Sequence, residues 1–337
     1  MLNIYDVSKQ AGVSIATVSR VLNNSPHVSA KTKKLVMDVI AASGYVPNAF
    51  ARGLGLRTMK TIGLLCPDAS DPYLSSALSA LEKAFRDNLY DCLLVCTGRQ
   101  PSERDAGILS LSAHHVDGMV LMGSSFVSDV AVENAMILET ADIPMAILNA
   151  SLQAEHIYSA RCDDFGATRD ALLSLTQKGY SRPLYLYHAL NYSGQQKFQG
   201  FHEGCHIAGI PESHVTTLLI PRENMTVAEV QRRVFALWQE GKRFDCVVTS
   251  DDILAVGALK TAGSMHLKVP GDLAIIGYNN SSICQCTSPE LSSVDNRLEM
   301  LCQQIVNTMI GILQGQEMPR EVVYSGKVIE RGSSIAK

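Results

Sequence analysis

Between residues 61 and 161, short apolar runs alternate with longer stretches whose apolar positions recur at helical spacing. The runs TIGLLCP, YDCLLVCTG, VDGMVLMG and IPMAILNA are separated by YLSSALSALEKAFRDN, ERDAGILSLSAHH and VAVENAMILETAD. Near-continuous apolar strands interleaved with helices predict a parallel sheet covered on both faces. A second series follows, with PLYLYHA, VTTLLI, CVVTSDD and DLAIIGYNN as strands. Its helices are GATRDALLSLTQKGY, QQKFQGFHEGCHIAG, VAEVQRRVFALWQEG and LAVGALKTAG. Two such α/β halves make a cleft, and ligands of open sheets bind at the carboxyl ends of the strands.

The pattern ahead of this region is different. Asn3, with Asp6 three residues on, predicts a capped helix start, and Ile4, Val7 and Ala11 form a narrow apolar stripe. Gly12 ends that helix. Ser14 caps a second one, with Val18, Val21 and Leu22 facing inward. Ser29 caps a third, AKTKKLVMDVIAASG, whose expected buried face is Leu35, Val36, Val39 and Ile40, with Gly44 as its stop. Two short helices joined by a glycine turn and closed by a third match the helix-turn-helix plan. The second helix of that plan enters the major groove with its N-terminal residues against base edges. Ile15, Ala16, Ser19 and Arg20 then face outward, and Thr17 lies in the first turn. Arg20 suits a bidentate contact with guanine, and Ile15 and Ala16 suit thymine methyls. Thr17, Ser19 and the first-turn amides suit phosphates.

Charge sharpens the division. Residues 1–60 hold eight Lys or Arg against two Asp, whereas the remaining 277 hold 21 basic and 31 acidic side chains. A basic head on an acidic body points the head at a polyanion. Hydrophobic residues are 46% and charged residues 18% of the 337, a globular balance with no run long enough to span a bilayer. The opening MLNIYDVSKQ carries Asp6 and Lys9 where a secretion signal needs an apolar stretch, so a cytoplasmic location is expected. Nine scattered cysteines read as reduced, packed thiols. The CQC at 284–286 lacks a second ligand pair at zinc spacing, and His114–His115 ends a helix, where cations favour the dipole. Trp238 reads as core. With no G-x-G-x-x-G after a strand and no Walker-type loop, no cofactor and no metal are expected.

IYDVSKQAGVSIATVSRVLNN and VSAKT, followed by GYVPNAFARGL, resemble the DNA-binding head and hinge of the lactose-repressor (LacI/GalR) family. The resemblance extends the DNA-contacting set to Ser14, Asn23, His27, Ser29 and Thr32, and to Asn48, Ala51, Arg52 and Leu54 of the hinge. It implies that the hinge forms a helix when two chains lie side by side on DNA, with Leu54 wedged into the minor groove. Gly53 and Gly55 each cost a helix interior roughly 0.8–1.0 kcal/mol relative to alanine. A hinge that is unfolded off DNA is therefore expected, with tighter operator binding on replacing both glycines by alanine.

The body resembles the periplasmic-binding-protein-like effector domain of the same family, through TIGLLCPD, DPYLSSALSALEK, VDGMVL, CDDFGA, GFHEGC, SDDILAVGALK, DLAIIGYNN and SPELSSV. It implies a head at 1–46, a hinge at 47–60 and an effector-binding and dimerisation body at 61–337. The body would divide into 61–160 plus 291–320 and 161–290 plus 321–337. Carried over position by position, the effector-binding residues are Asp71, Tyr73, Asn149, Asp163, Lys197, Arg222 and Asp252. Each carboxylate among them has a second reading as a helix N-cap.

Departures from the family pattern bear on the ligand. Lys197 stands where the family usually has Arg, and a lysine lacks the planar two-pronged grip. The usual aromatic of the following strand-to-helix loop is missing, with Pro221, Arg222 and Glu223 in its region, and Asn279 and Asn280 replace an acidic pair. Beside a sugar-related effector, these changes admit a charged or phosphorylated small molecule. No leucine heptad ends the chain, so a homodimer on a pseudo-palindromic operator, with no appended four-chain bundle, is expected. The function expected is a sequence-specific, effector-controlled transcriptional regulator, more often a repressor. The alternative is a solute-binding receptor module without DNA function. No nucleophile, base and oxyanion donor share a motif, so an enzyme is not expected.

Overall fold

The computed structural model describes residues 3–22, 25–45, 58–127, 134, 137, 139–140 and 142–335. The expected helix over VAVENAMILETAD therefore lies mostly outside the described residues, as does the hinge with Asn48, Ala51, Arg52, Gly53, Leu54 and Gly55.

Three helices form the head: α1 (Ile4–Ala11), α2 (Ile15–Leu22) and α3 (Ala30–Ser43). Local chemistry sets their ends. Asn3 accepts from the Asp6 amide while the Asp6 carboxylate accepts from the Asn3 amide, a reciprocal capping box. Gly12 (φ 61°) and Gly44 (φ 64°) close α1 and α3 in the left-handed region, where a side chain would be strained. Ser29 caps α3 through the Thr32 amide. Val7, Ala11, Val18, Val21 and Val36 make the small core, with Val39 and Ile40 partly buried against it. Leu35 departs from expectation and is 47% exposed. Val36, Val39 and Ile40 complete the inner stripe of α3, and Leu35 sits about 100° round the helix from Val36.

The body contains two six-stranded sheets. The first is built from β1 (Thr61–Cys66), β2 (Asp91–Cys96), β3 (Gly118–Met122), β4 (Met145–Leu148) and β5 (Ile157–Cys162). The second is built from β6 (Pro183–Tyr187), β7 (Thr216–Leu219), β8 (Cys246–Thr249), β9 (Ala274–Tyr278) and β10 (Ser292–Asp295). Helices α4 (Pro72–Asp87) and α5 (Pro101–Ala113) cover the first sheet. Helices α6 (Asp164–Thr176), α7 (Tyr192–Ile207), α8 (Val227–Gln239) and α9 (Asp252–Ser264) cover the second. Both halves share one strand order, β2-β1-β3-β4-β5 and β7-β6-β8-β9-β10, all parallel. The central strands β3, β4, β8 and β9 are buried throughout, as an apolar run covered on both faces requires. The edge strands β2 and β7 alternate with solvent.

After β10 the chain returns to the first half as α10 (Leu298–Leu313), which packs against α4, β4 and β5. It then adds β11 (Glu321–Tyr324) beside β5 in the first sheet and β12 (Lys327–Ile329), antiparallel, beside β10 in the second. This corrects the expected crossing points. Residues 292–295 belong to the second sheet, not the first, and 321–324 to the first, not the second. Ser292 is the reason on one side: its amide and hydroxyl are held by Ser333 and Arg331 within the second half.

Among the described residues no helix is long and apolar enough to cross a membrane.

Candidate functional site

On the head, the start of α2 is open. Val18 and Val21 are buried, while Ser14, Ile15, Ala16 and Arg20 are exposed and Thr17 and Ser19 are half-buried. The Ser14 and Thr17 hydroxyls meet at 2.9 Å, and Ser14 Oγ also accepts from the Thr17 amide at 3.2 Å. Ser29 and Thr32 repeat that arrangement at the start of α3, again with hydroxyls 2.9 Å apart. Two hydroxyl-lined helix N-termini offer amides and hydroxyls to phosphates, and between them Ile15, Ala16 and Arg20 present the side chains that read bases. His27 is exposed beside Ser29, and Asn23 lies outside the described residues.

In the body, residues from the carboxyl ends of strands in both sheets converge on one cleft. Asp71, after β1, caps α4: one carboxylate oxygen accepts from the Tyr73 amide at 2.9 Å and the Leu74 amide at 3.2 Å. Its other oxygen is ion-paired with Arg222, which follows β7 in the opposite half. Arg99, after β2, stands 3.9 Å from the same carboxylate. Tyr73 lines the cleft beside Asp71. Asn149, after β4, adopts φ 62°, a left-handed conformation that asparagine tolerates. Its Oδ1 accepts from the Cys162 amide at 3.2 Å, and its Nδ2 is 3.5 Å from Ser193 Oγ across the cleft.

Lys197 reaches the cleft from α7 and is 7% exposed. Its Nζ donates to Ser250 O at 3.2 Å and lies 3.7 Å above the Tyr278 ring. Glycine at 200 permits this placement of α7. A Cβ there would stand 2.2 Å from Phe165 O, so α6 and α7 cross backbone to backbone. Arg222 also contacts His188 Nε2 at 3.1 Å. Burial pushes the His188 imidazole down to about 4, with Lys197 and Arg99 adding to the effect against Asp251. Burial likewise lowers Arg222.

Two carboxylates expected in the cleft do not line it. Asp163 accepts from the Gly166 amide at 3.0 Å and serves as the cap of α6. Asp252 is 1% exposed and saturated internally: Ser281 N at 2.8 Å and Ser281 Oγ at 2.7 Å reach one oxygen, and Ser293 Oγ at 2.6 Å reaches the other. Asp251, one residue earlier, faces the cleft instead, capping α9 through the Ile253 amide and accepting from Asn279 Nδ2 at 3.2 Å. The sequence thus missed Asp251, Arg99 and His188. Their signal was positional, since each lies just beyond the end of a strand.

Among the described residues no three His, Cys, Asp or Glu side chains gather as metal ligands. Trp238 packs edge-on against Phe244, with centroids 5.3 Å apart.

Residues 3–48 match the family model described as bacterial regulatory proteins, lacI family, and residues 173–334 match a periplasmic binding protein-like domain. An HTH-type transcriptional regulator of Lachnoclostridium phytofermentans is 41% identical over 331 residues, 98% of this chain and 98% of that protein. The lac repressor dimer bound to operator and an anti-inducer superposes with a TM-score of 0.88 at 22% identity, covering 99% of each chain. A transcriptional regulator CelR–cellobiose complex matches with a TM-score of 0.70 at 23% identity, over 99% of this chain and 100% of that one. Such relatives are regulators of transcription, not enzymes. A capped helix-turn-helix head ahead of a two-sheet cleft, carried by likeness over nearly its whole length, places the chain in the lacI family of bacterial regulatory proteins.

Proposed function

We propose that the chain is a cytoplasmic repressor that binds a pseudo-palindromic operator as a homodimer and is controlled by a small, sugar-related effector in the cleft. Residues 1–46 read the DNA, 47–60 act as the hinge and 61–337 bind effector and dimerise. The observation that carries this reading is one chain that exposes Ile15, Ala16 and Arg20 at the start of a helix and holds a cleft between two sheets. Ser14, Thr17, Ser19, Asn23, His27, Ser29 and Thr32 hold the backbone around those base readers. Asn48, Ala51, Arg52 and Leu54 belong to the minor-groove hinge. In the cleft Asp71, Tyr73, Asn149, Lys197 and Arg222 meet the effector, joined by Asp251 in the role expected of Asp252. Cellobiose in the CelR complex supports a sugar-related ligand here. Effector control requires unequal affinity for the two arrangements of the halves, since equal affinity shifts nothing.

The test is selection of operator fragments from the source genome with purified protein at fixed salt. Enrichment of one pseudo-palindrome, lost on Arg20→Ala and weakened steeply by salt, is the expected result. Retention independent of sequence and of Arg20 would remove the proposal.

A further inference from the structure

We infer that the cleft takes a small molecule bearing an acid group, entered head first, and that Arg222 exchanges Asp71 for that acid. The inference rests on the reading of the cleft as an effector site.

Lys197 is the first observation. It is 7% exposed, and no carboxylate lies within ion-pair distance of its Nζ among the described residues. An ammonium has three donors, and Ser250 O takes one while the Tyr278 ring covers one side. Asp164, at the edge of that ring, has its oxygens engaged by Ser193 Oγ and Tyr278 Oη, each at 2.5 Å. A buried charge without a partner is costly, and a ligand acid would offset that cost.

The second observation is the set of charges. Arg99 is paired with Asp68 at 3.8 Å and Asp71 at 3.9 Å, and Arg222 with Asp71. This leaves Lys197 as the cation of the inner chamber without a carboxylate partner among the described residues, and His188 is held neutral by burial. The third is shape. Arg222 lines both an inner chamber of 70 Å³ and an outer space of 460 Å³. The inner chamber, lined by Asp71, Arg99, Lys197, Arg222 and Asp251, is the charged end of the cleft. The outer space falls in the roughly 300–1,000 Å³ range of small-molecule sites. Ser125, Asn191, Gln195 and Glu223 line it with groups suited to hydroxyls.

The exchange leaves no buried charge behind. When Arg222 turns to the ligand acid, Asp71 keeps Arg99 at 3.9 Å, which it shares with Asp68 at 3.8 Å, and the amides of Tyr73 and Leu74. Arg222 and Lys197 come from one half and Asp71 and Arg99 from the other, so the exchange releases an ion pair that joins the halves. A neutral ligand offers Arg222 no replacement for Asp71.

The experiment titrates full-length protein with inorganic phosphate and with acetate, following heat and thermal midpoint, in wild type, Lys197→Met and Arg222→Met. Arg222→Gln, with circular dichroism, guards against a variant that fails to fold. A hexose 6-phosphate, a hexuronate and the free hexose form a second series. Saturable millimolar binding of one acid, at least tenfold weaker in each variant, is expected. Which acid binds distinguishes a phosphoryl from a carboxylate head, and the matching charged sugar binds more tightly than its head alone. Equal stabilisation of wild type and variants, the mark of a general salt effect, would overturn the inference. So would absence of saturable binding by either acid, or a free hexose that binds wild type and Arg222→Met as well as its phosphate does. Operator retention by the same preparation tests the regulator reading separately.

Discussion

Asp251 and Asp252 are neighbours in the chain and point to opposite sides of the end of β8. Asp251 faces the cleft, while Asp252 is locked to Ser281 and Ser293 inside the second half. Asp252→Ala therefore orphans three donors and is expected to cost about 3 kcal/mol or more of stability. Asp251→Asn keeps the helix cap, since asparagine caps as well as aspartate, and is expected to stay within about 0.5 kcal/mol. Its effect falls on effector response at the operator. Urea midpoints beside operator release check both, and equal stability losses would remove the assignment.

Arg20 carries the base-reading prediction. Arg20→Ala is expected to lose about 1–3 kcal/mol of operator affinity, roughly 5- to 150-fold, and to relax preference at one base pair of each half-site. Arg20 is exposed and outside the head core, so the thermal midpoint should hold. Binding to a set of single-position operator variants decides the matter; a uniform loss across sequences would make Arg20 a phosphate contact.

His188 gives a pH dependence with a definite sign. Its folded pKa of about 4 lies below the ordinary 6.5, because burial and the cations Lys197 and Arg99 outweigh Asp251. The unfolded chain takes up the proton first as pH falls, so the stability His188 contributes is complete above 6.5 and disappears down to about 4. The contribution is on the order of 3 kcal/mol. Denaturant midpoints of wild type and His188→Gln measured from pH 7 to pH 4 should converge as pH falls. Parallel curves would show that His188 does not carry the effect.

The crossing of α6 and α7 is expected to be intolerant of a single methyl group. Gly200→Ala drives a Cβ into Phe165 O, a backbone atom that cannot step aside as a side-chain end does. A loss of about 3 kcal/mol is expected, with disturbance of the cleft through Lys197 three residues earlier. Gly209→Ala supplies the contrast: its Cβ meets nothing within 4 Å, and its φ of +68° limits the cost to local backbone strain. Calorimetric midpoints of the two variants check the ranking.

The head was legible because its determinants are local. Asn3, Ser14, Ser29, Gly12 and Gly44 each act within a turn of their own helix, and all five sit where the sequence puts them. The strands of the body were legible because burial on both faces leaves an unbroken apolar run. The short strands 292–295 and 321–324 were assigned to the wrong halves, since their membership is decided by partners tens to hundreds of residues away. Asp251 and Asp252 show a finer limit. Both precede the same helix, and one residue of rotation, about 100°, decides which carboxylate meets the cleft and which meets Ser293. Leu35 erred for the same reason.

Three strand-to-strand passages tie the two sheets: after β5, after β10, and between β11 and β12. Neither half is a continuous piece of chain, so no single cut excises one of them. A protease nick in any one passage leaves a molecule still braced by two. Three tethers side by side also restrict how the halves can travel, permitting a swing about a common axis and resisting slippage in other directions. A ligand that alters the cleft is therefore expected to move the halves along that swing rather than in an arbitrary direction.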